Sequence, residues 1–367
     1  MRYFLLPLAL GRKREALREM RGTGSNHATM ETRRILIAGA GAIGSVMGGM
    51  LRRAGHDVTM LGRSTHLEAI GRDGLHLGGL FGDHVVKGFT LASDPSQLGA
   101  PFEFVLLTVK SYDTAAVADQ LRNLAARDGL VVSMQNGIGN IAILVEHFGA
   151  ARVLGGRVIF GAEIVAPGRV EVTVFADPIA VGPAPAIQPG ESARLFERAR
   201  ELAAILSGAG IPTEPCADVI PLLWTKLFYN AALNPLGALL RLHYGALAAD
   251  PDLRAIMDAV IEEAFAVAAR SGVALPYRSA GEYRAVFYSR LVPSTFNHRP
   301  TMLYDLEQRG RTDIAEMNGK IAELARGLGL RAETNRILTR LIRARERMWS
   351  ANNAGAAGRR RTSESAD

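Results

Sequence analysis

Lys226, Asn230 and Asn234 recur at i, i+4 and i+8 within Trp224–Pro235, so a helix there carries all three on one face. Their neighbours Leu227, Phe228, Tyr229, Ala231 and Leu233 are apolar or aromatic, which predicts an enclosed polar stripe. Lysine is almost never buried without a partner and asparagine is a mediocre helix former, so such a stripe needs a reason. One reason is structural: a buried hydrogen-bonded network joining domains. The other is chemical. Desolvation lowers a lysine pKa, making its ammonium a usable general acid between orienting amides.

A second constellation is Gly39-Ala40-Gly41-Ala42-Ile43-Gly44, a G-x-G-x-x-G that follows an apolar strand and opens a helix over Ser45–Ala54. Gly39 permits the tight turn, Gly41 lets backbone approach a pyrophosphate, and Gly44 lets the helix pack on the strand, with the anion held at the helix N-terminus; Ala42 and Ile43, within the same loop, are counted with the glycines as cofactor-binding. A glycine-rich turn without ligand is the plain alternative. The strand before, the helix after and a second strand at Asp57–Leu61 favour a dinucleotide. Where NAD selection wants a carboxylate, at the end of that second strand, stand Gly62-Arg63-Ser64-Thr65. A guanidinium and two hydroxyls suit a 2′-phosphate, so NADP(H) is expected; a solvated surface arginine is the alternative. Beside a nicotinamide, Lys226 reads as a proton donor.

Weaker signals accompany these. Thr301 after Pro300 reads as a helix N-cap, a position that receives carboxylates. Asp313, three residues before Glu316, reads as a capping-box variant. Gln135-Asn136-Gly137 ends a strand where such sheets present ligand-binding groups, although Asn-Gly is equally a common turn pair.

The elements that must position these residues are an α/β domain and a helical one. From Arg33 to about Ala217, short strands that are apolar at consecutive positions (35–38, 58–61, 104–109 and 130–134) alternate with helical stretches, as in a parallel sheet buried on both faces. Glycines and Pro167 punctuate β-rich pieces over 150–182, suggesting a hairpin or meander that completes the sheet. A loop at 183–189 leads into a helix to about Ser207. From about Asp218 to Arg347 helical periodicity dominates. The domains expected are an NADP-binding Rossmann domain over 33–216 and a helical catalytic domain over 217–349, flanked by a disordered or mis-called start over 1–32 and a disordered tail over 350–367. Met30 stands where a true start would fall.

Composition excludes several classes. The chain has 367 residues, 48% of them hydrophobic and 22% charged, which is neither disordered nor fibrous. Its single cysteine, Cys216, rules out an intrachain disulfide and a cysteine-rich zinc site, and fits a reducing compartment. No uncharged apolar run is long enough to span a membrane. The net charge of +7 is concentrated in the arms: Arg2, Arg12, Lys13, Arg14, Arg18 and Arg21 precede Met30, and Arg359–Arg361 stand in the tail. Such arms are ordinarily solvated tails, so no nucleic-acid or membrane partner is expected and the protein reads as cytoplasmic.

Together these motifs resemble the ketopantoate reductase (2-dehydropantoate 2-reductase) family over nearly all of 33–347. The carriers are the glycine loop, Val109-Lys110, Gln135-Asn136-Gly137, the Lys226/Asn230/Asn234 series ending in Asn-Pro, and the run from Thr301 to Lys320. The resemblance implies a Rossmann-type domain plus an all-helical domain of the 6-phosphogluconate dehydrogenase type. It implies NADPH-dependent reduction of 2-dehydropantoate to pantoate, the pantothenate and coenzyme A pathway step, without metal; a homodimer stays open. By position it makes Lys226 the catalytic lysine. Asn230 and Asn234 hold the substrate hydroxyl, Asn136 lies near the nicotinamide ribose and substrate, Lys110 lies near the cofactor, and Arg63 selects NADPH. Thr301 takes a serine position at the substrate carboxylate, and Asp313 a position where the family normally has glutamate. That last departure leaves another 2-oxo or 3-hydroxy acid as the alternative substrate, and a non-catalytic NADPH sensor as an alternative of a different class.

Overall fold

The computed structural model describes residues 31–364 apart from 100, 185–188 and 309. The expected N-terminal extension lies outside the described residues except for Glu31 and Thr32, as do 365–367 of the tail. The chain divides into two compact units, one of the described residues up to Gln135 with Asn140–Ile220, the other of Asn136–Gly139 with the residues from Pro221 onward.

The first unit is built on β1 (Arg34–Ala38), α1 (Ala42–Arg53), β2 (Asp57–Leu61), α2 (Ser64–Asp73), β3 (Leu75–Gly79), β4 (His84–Val86), β5 (Thr90–Ala92), β6 (Phe102–Leu107), α3 (Thr114–Gln120), β7 (Ala125–Ser133) and α4 (Asn140–Phe148). There follow β8 (Val153–Arg157), β9 (Phe160–Ala166), β10 (Arg169–Phe175), β11 (Ile179–Gly182), α5 (Pro189–Gly208) and β12 (Thr213–Pro215). Eight strands form one sheet in the order β12-β11-β8-β7-β6-β1-β2-β5. All neighbours pair in parallel except β11 against β8. Ile35–Ala38 and Phe104–Leu107 are fully buried, as consecutive apolar residues must be when helices cover both faces. The chain moves outward from β1 to β2 on one side and returns to β6 on the other. This reversal makes the carboxyl ends of β1 and β6 a topological switch point, the place where open α/β sheets bind ligands.

The β-rich stretch 150–182 only partly completes this sheet, contrary to the sequence expectation. β8 and β11 join it, but the hairpin β9–β10 pairs with β3 and β4 in a separate four-stranded sheet ordered β4-β3-β10-β9. The reason is an edge that periodicity does not reveal: β3 offers its backbone to β10 over His76–Gly79. Burial alternates along β10, as it must in a sheet with one solvated face. Helix α1 packs between the two sheets. A Cβ at Gly48 would touch Ile37 and Met60, and one at Gly49 would lie 2.8 Å from Leu77. Small residues thus set the approach of the helix that begins at the glycine loop.

The second unit is helical: α6 (Ile220–Leu240), α7 (Tyr244–Ala249), α8 (Pro251–Arg270), α9 (Ala280–Val286), α10 (Val292–Ser294), α11 (Thr301–Gln308), α12 (Asn318–Gly327) and α13 (Glu333–Glu364). Its core is aromatic, with Phe228, Tyr283 and Phe287 fully buried or nearly so. The backbone of α13 runs on to Glu364, through the stretch read as a disordered tail; alanine and arginine there are strong helix formers. No helix among the described residues is long and apolar enough to cross a membrane.

Candidate functional site

In the first unit the glycine loop follows β1 directly. Gly39 has φ +119°, and a Cβ there would lie 2.5 Å from Val109 N. At Gly44 a Cβ would meet Gly39 O at 2.1 Å and Thr108 Oγ1 at 2.6 Å. Both glycines are therefore required by the protein's own packing. Gly41 is not: a Cβ at that position meets nothing within 4 Å. Gly41 is also the N-cap of α1, with no side-chain cap bond and no acidic residue in the first turn. A helix N-terminus facing open space at a glycine fits a dinucleotide pyrophosphate. Ala42 and Ile43 form that first turn.

Arg63 is the exposed N-cap of α2 at the carboxyl end of β2. Gly62 before it allows close approach to Ala40, whose Cβ would stand 2.6 Å from an added one. His66, one turn into α2, is buried and ties three elements together. Its Nδ1 accepts from Gly168 N at 3.1 Å, so its Nε2 carries the proton and donates to Ser45 Oγ at 3.0 Å. Burial lowers the His66 pKa, and the Arg63 charge lowers it further. The sequence held no signal for this link, which joins residues 21 and 102 positions apart.

Lys110 is half-buried just past β6, preceding a turn at Ser111–Asp113. The end of β7 is held from within by Gln135. Its Nε2 donates to Val109 O at 2.9 Å and Thr114 Oγ1 at 2.7 Å, and Thr114 Oγ1 lies 2.8 Å from Asn140 Oδ1.

In the second unit, α6 presents Lys226, Asn230 and Asn234, each half-buried. Lys226 Nζ donates to Asn136 Oδ1 at 2.8 Å across 90 residues of sequence. The turn carrying Asn136 is seated on the segment after α11: Gly137, at φ +89°, leaves room for Glu316 O, 2.7 Å from where a Cβ would stand. Asn234 Oδ1 accepts from Tyr244 Oη at 2.7 Å, which directs its amide N–H groups elsewhere. Tyr244 is buried and its pKa is raised well above the ordinary value, so the hydroxyl stays a donor. Sequence reasoning missed Tyr244, which lies on the following helix.

Two capping expectations are corrected. Thr301 is the exposed first residue of α11, and it is Pro300 O that accepts from Leu303 N at 2.9 Å. Asp313 precedes a single turn at Ile314–Glu316 but makes no side-chain cap bond. Thr312 Oγ1 accepts from Ile314 N at 3.2 Å, a local bond at the amide that opens the turn. Asp313 is nevertheless buried, at 8% exposure, which a solvated cap would not be. Glu316 nearby has its carboxyl pKa raised, chiefly by desolvation.

A parallel sheet with a glycine loop at its switch point, joined to a helical unit that offers an amine and two amides, defines a dinucleotide-dependent oxidoreductase. Family models for ketopantoate reductase PanE/ApbA and for its C-terminal part match residues 35–186 and 218–346. The 2-dehydropantoate 2-reductase of Aquifex aeolicus is 37% identical over 316 residues, 85% of this chain and 97% of that protein. The 2-dehydropantoate 2-reductase of Archaeoglobus fulgidus is 34% identical, covering 86% and 99%. A crystal structure of a PanE/ApbA family ketopantoate reductase from Ralstonia eutropha JMP134 matches with TM-score 0.75 at 34% identity, over 86% of this chain and 99% of that one. D-mandelate dehydrogenase in complex with NADH shares the fold at TM-score 0.73 and 24% identity, over 86% and 99%. The chain belongs to the ketopantoate reductase PanE/ApbA family.

Proposed function

We propose that this protein reduces 2-dehydropantoate (ketopantoate) to pantoate with NADPH, the step that supplies pantothenate and coenzyme A synthesis. The observation that carries the reading is the bond from Lys226 Nζ to Asn136 Oδ1, which holds an ammonium at a defined place among half-buried amides. When bound, the reduced nicotinamide supplies hydride to the ketone carbon.

The remaining work falls to side chains. The first turn of α1, with Gly39, Gly41, Ala42, Ile43 and Gly44, receives the pyrophosphate, and Lys110 adds a positive charge on the cofactor side. Arg63 pairs with the 2′-phosphate, a doubly charged group for which a guanidinium fork is the natural partner. Asn136 fixes Lys226 and lies toward the nicotinamide ribose. Lys226 stabilises the developing alkoxide and protonates it, as a general acid must do within hydrogen-bond reach of the oxygen. Asn230 and Asn234 hold the substrate hydroxyl; with Oδ1 occupied by Tyr244, Asn234 offers N–H donors. Thr301 and the N-terminus of α11 face the substrate carboxylate.

Buried Asp313 favours a second reading, in which the same chemistry serves a different small 2-oxo acid. The test is NADPH oxidation by the purified protein against ketopantoate and a panel of short and branched 2-oxo acids, repeated with NADH. Ketopantoate is expected to give the highest kcat/KM, with NADPH preferred. A preference for another acid by more than about tenfold, some 1.4 kcal/mol in transition-state binding, moves the assignment to that acid. Cofactor binding without oxidation by any acid would return the chain to a sensor role.

A further inference from the structure

We infer that Asn318 is a positioning residue for the substrate-holding face of α6; the inference rests on the function proposed above. Pro235 follows Asn234 inside α6. Proline has no N–H, so the position that would donate to Ala231 O in a regular helix cannot. Ala231 is fully buried, and an unpaired carbonyl there is costly. Asn318, the first residue of α12, supplies the missing donor: its Nδ2 reaches Ala231 O at 3.0 Å.

The orientation of that amide is dictated from the far end of a relay. Glu263 on α8 is a carboxylate and can only accept; it takes Thr334 N at 2.8 Å, Asn335 N at 3.0 Å and Asn335 Nδ2 at 2.7 Å. Asn335 must therefore turn its Oδ1 toward Asn318, which donates to it at 3.0 Å. Both N–H groups of Asn318 then face carbonyl oxygens, and its own buried Oδ1 accepts from no group among the described residues. What Asn318 supplies to its surroundings is thus its two donors. The grip falls on Ala231, directly after Asn230 and three residues before Asn234. Three helices, α8, α13 and α12, thus fix the backbone of α6 at the point that sets both asparagines relative to Lys226.

The test uses the full chain as wild type, Asn318→Ala, Pro235→Ala and the double variant. Turnover, NADPH affinity by fluorescence titration and thermal midpoints are measured. Asn318→Ala is expected to lower kcat/KM for ketopantoate about tenfold while NADPH affinity stays within about twofold. In the Pro235→Ala background the new backbone N–H serves Ala231 O, so the same replacement costs no more than about twofold. An equal loss in both backgrounds, no loss in the wild-type background, or a parallel loss of NADPH affinity overturns the inference. Should Asn318→Ala not fold, the double variant must; its failure to fold also overturns it. If wild type turns over no oxo acid, the proposed function fails, yet the four thermal midpoints still report whether Pro235 and Asn318 are coupled.

Discussion

Lys226 and Arg63 illustrate two different demands on a cation. Lys226 is half-buried and its ammonium donates to the oriented Asn136 Oδ1, which suits a group that must release and regain a proton at a defined place. Its replacement by methionine keeps the apolar stem and removes the ammonium. A fall in kcat of about 10²- to 10⁴-fold with little change in NADPH affinity is expected, and near-normal turnover would remove Lys226 from the chemistry. Arg63 is exposed and stands at the N-cap of α2, where its charge is available to a ligand. Arg63→Ala should weaken NADPH by roughly 10- to 100-fold, the worth of a charged hydrogen bond, and leave NADH nearly unchanged. Equal losses for both cofactors in titration would contradict selection by this residue.

At the scale of elements, the glycine loop separates packing from binding. Gly44→Ala drives a Cβ to 2.1 Å from Gly39 O, a backbone contact that cannot relax without moving α1. It should destabilise the protein by about 1–3 kcal/mol, seen in chemical denaturation. Gly41→Ala meets no protein atom within 4 Å, so its denaturation curve should match wild type. NADPH affinity should nevertheless fall, because the methyl enters the space assigned to the pyrophosphate. Unchanged NADPH binding by Gly41→Ala would sink the placement of the cofactor on α1.

For the molecule as a whole, stability should depend on pH through two buried histidines and one half-buried one. His56, His66 and His298 all have pKa values lowered from 6.5, first by desolvation. A depressed histidine pKa means that the unfolded chain binds more protons. The associated stability is therefore complete above 6.5 and is lost as pH falls through the folded values. Glu316 and Asp218, raised by burial, act oppositely, losing their contribution as pH rises through their folded values. Protonated His66 cannot accept from Gly168 N, so acid also breaks the link between α2 and the β9–β10 turn. The thermal midpoint is expected to fall from about pH 7 to about pH 5.5, and His66→Gln should flatten that slope. A profile unaffected by the replacement would show that His66 does not titrate in this range.

The sequence by itself determined the parts whose signals are local. Consecutive apolar residues marked β1 and β6 as strands buried on both faces, three glycines at fixed spacing marked the turn after β1, and a four-residue period put Lys226, Asn230 and Asn234 on one helical face. Periodicity records how much of an element is buried, and spacing records which side chains travel together. Neither records the partner. Only the tertiary structure decided that β10 pairs with β3, that Asn136 receives the Lys226 ammonium, that Thr312 takes the Ile314 amide while Asp313 makes no cap bond, and that Asn318 replaces the donor missing at Pro235. Each of these is a contact between separately formed surfaces or a contest between neighbouring side chains for one amide. Such outcomes are set by close packing and by the need to satisfy every buried polar group, and those constraints exist only once the chain has folded.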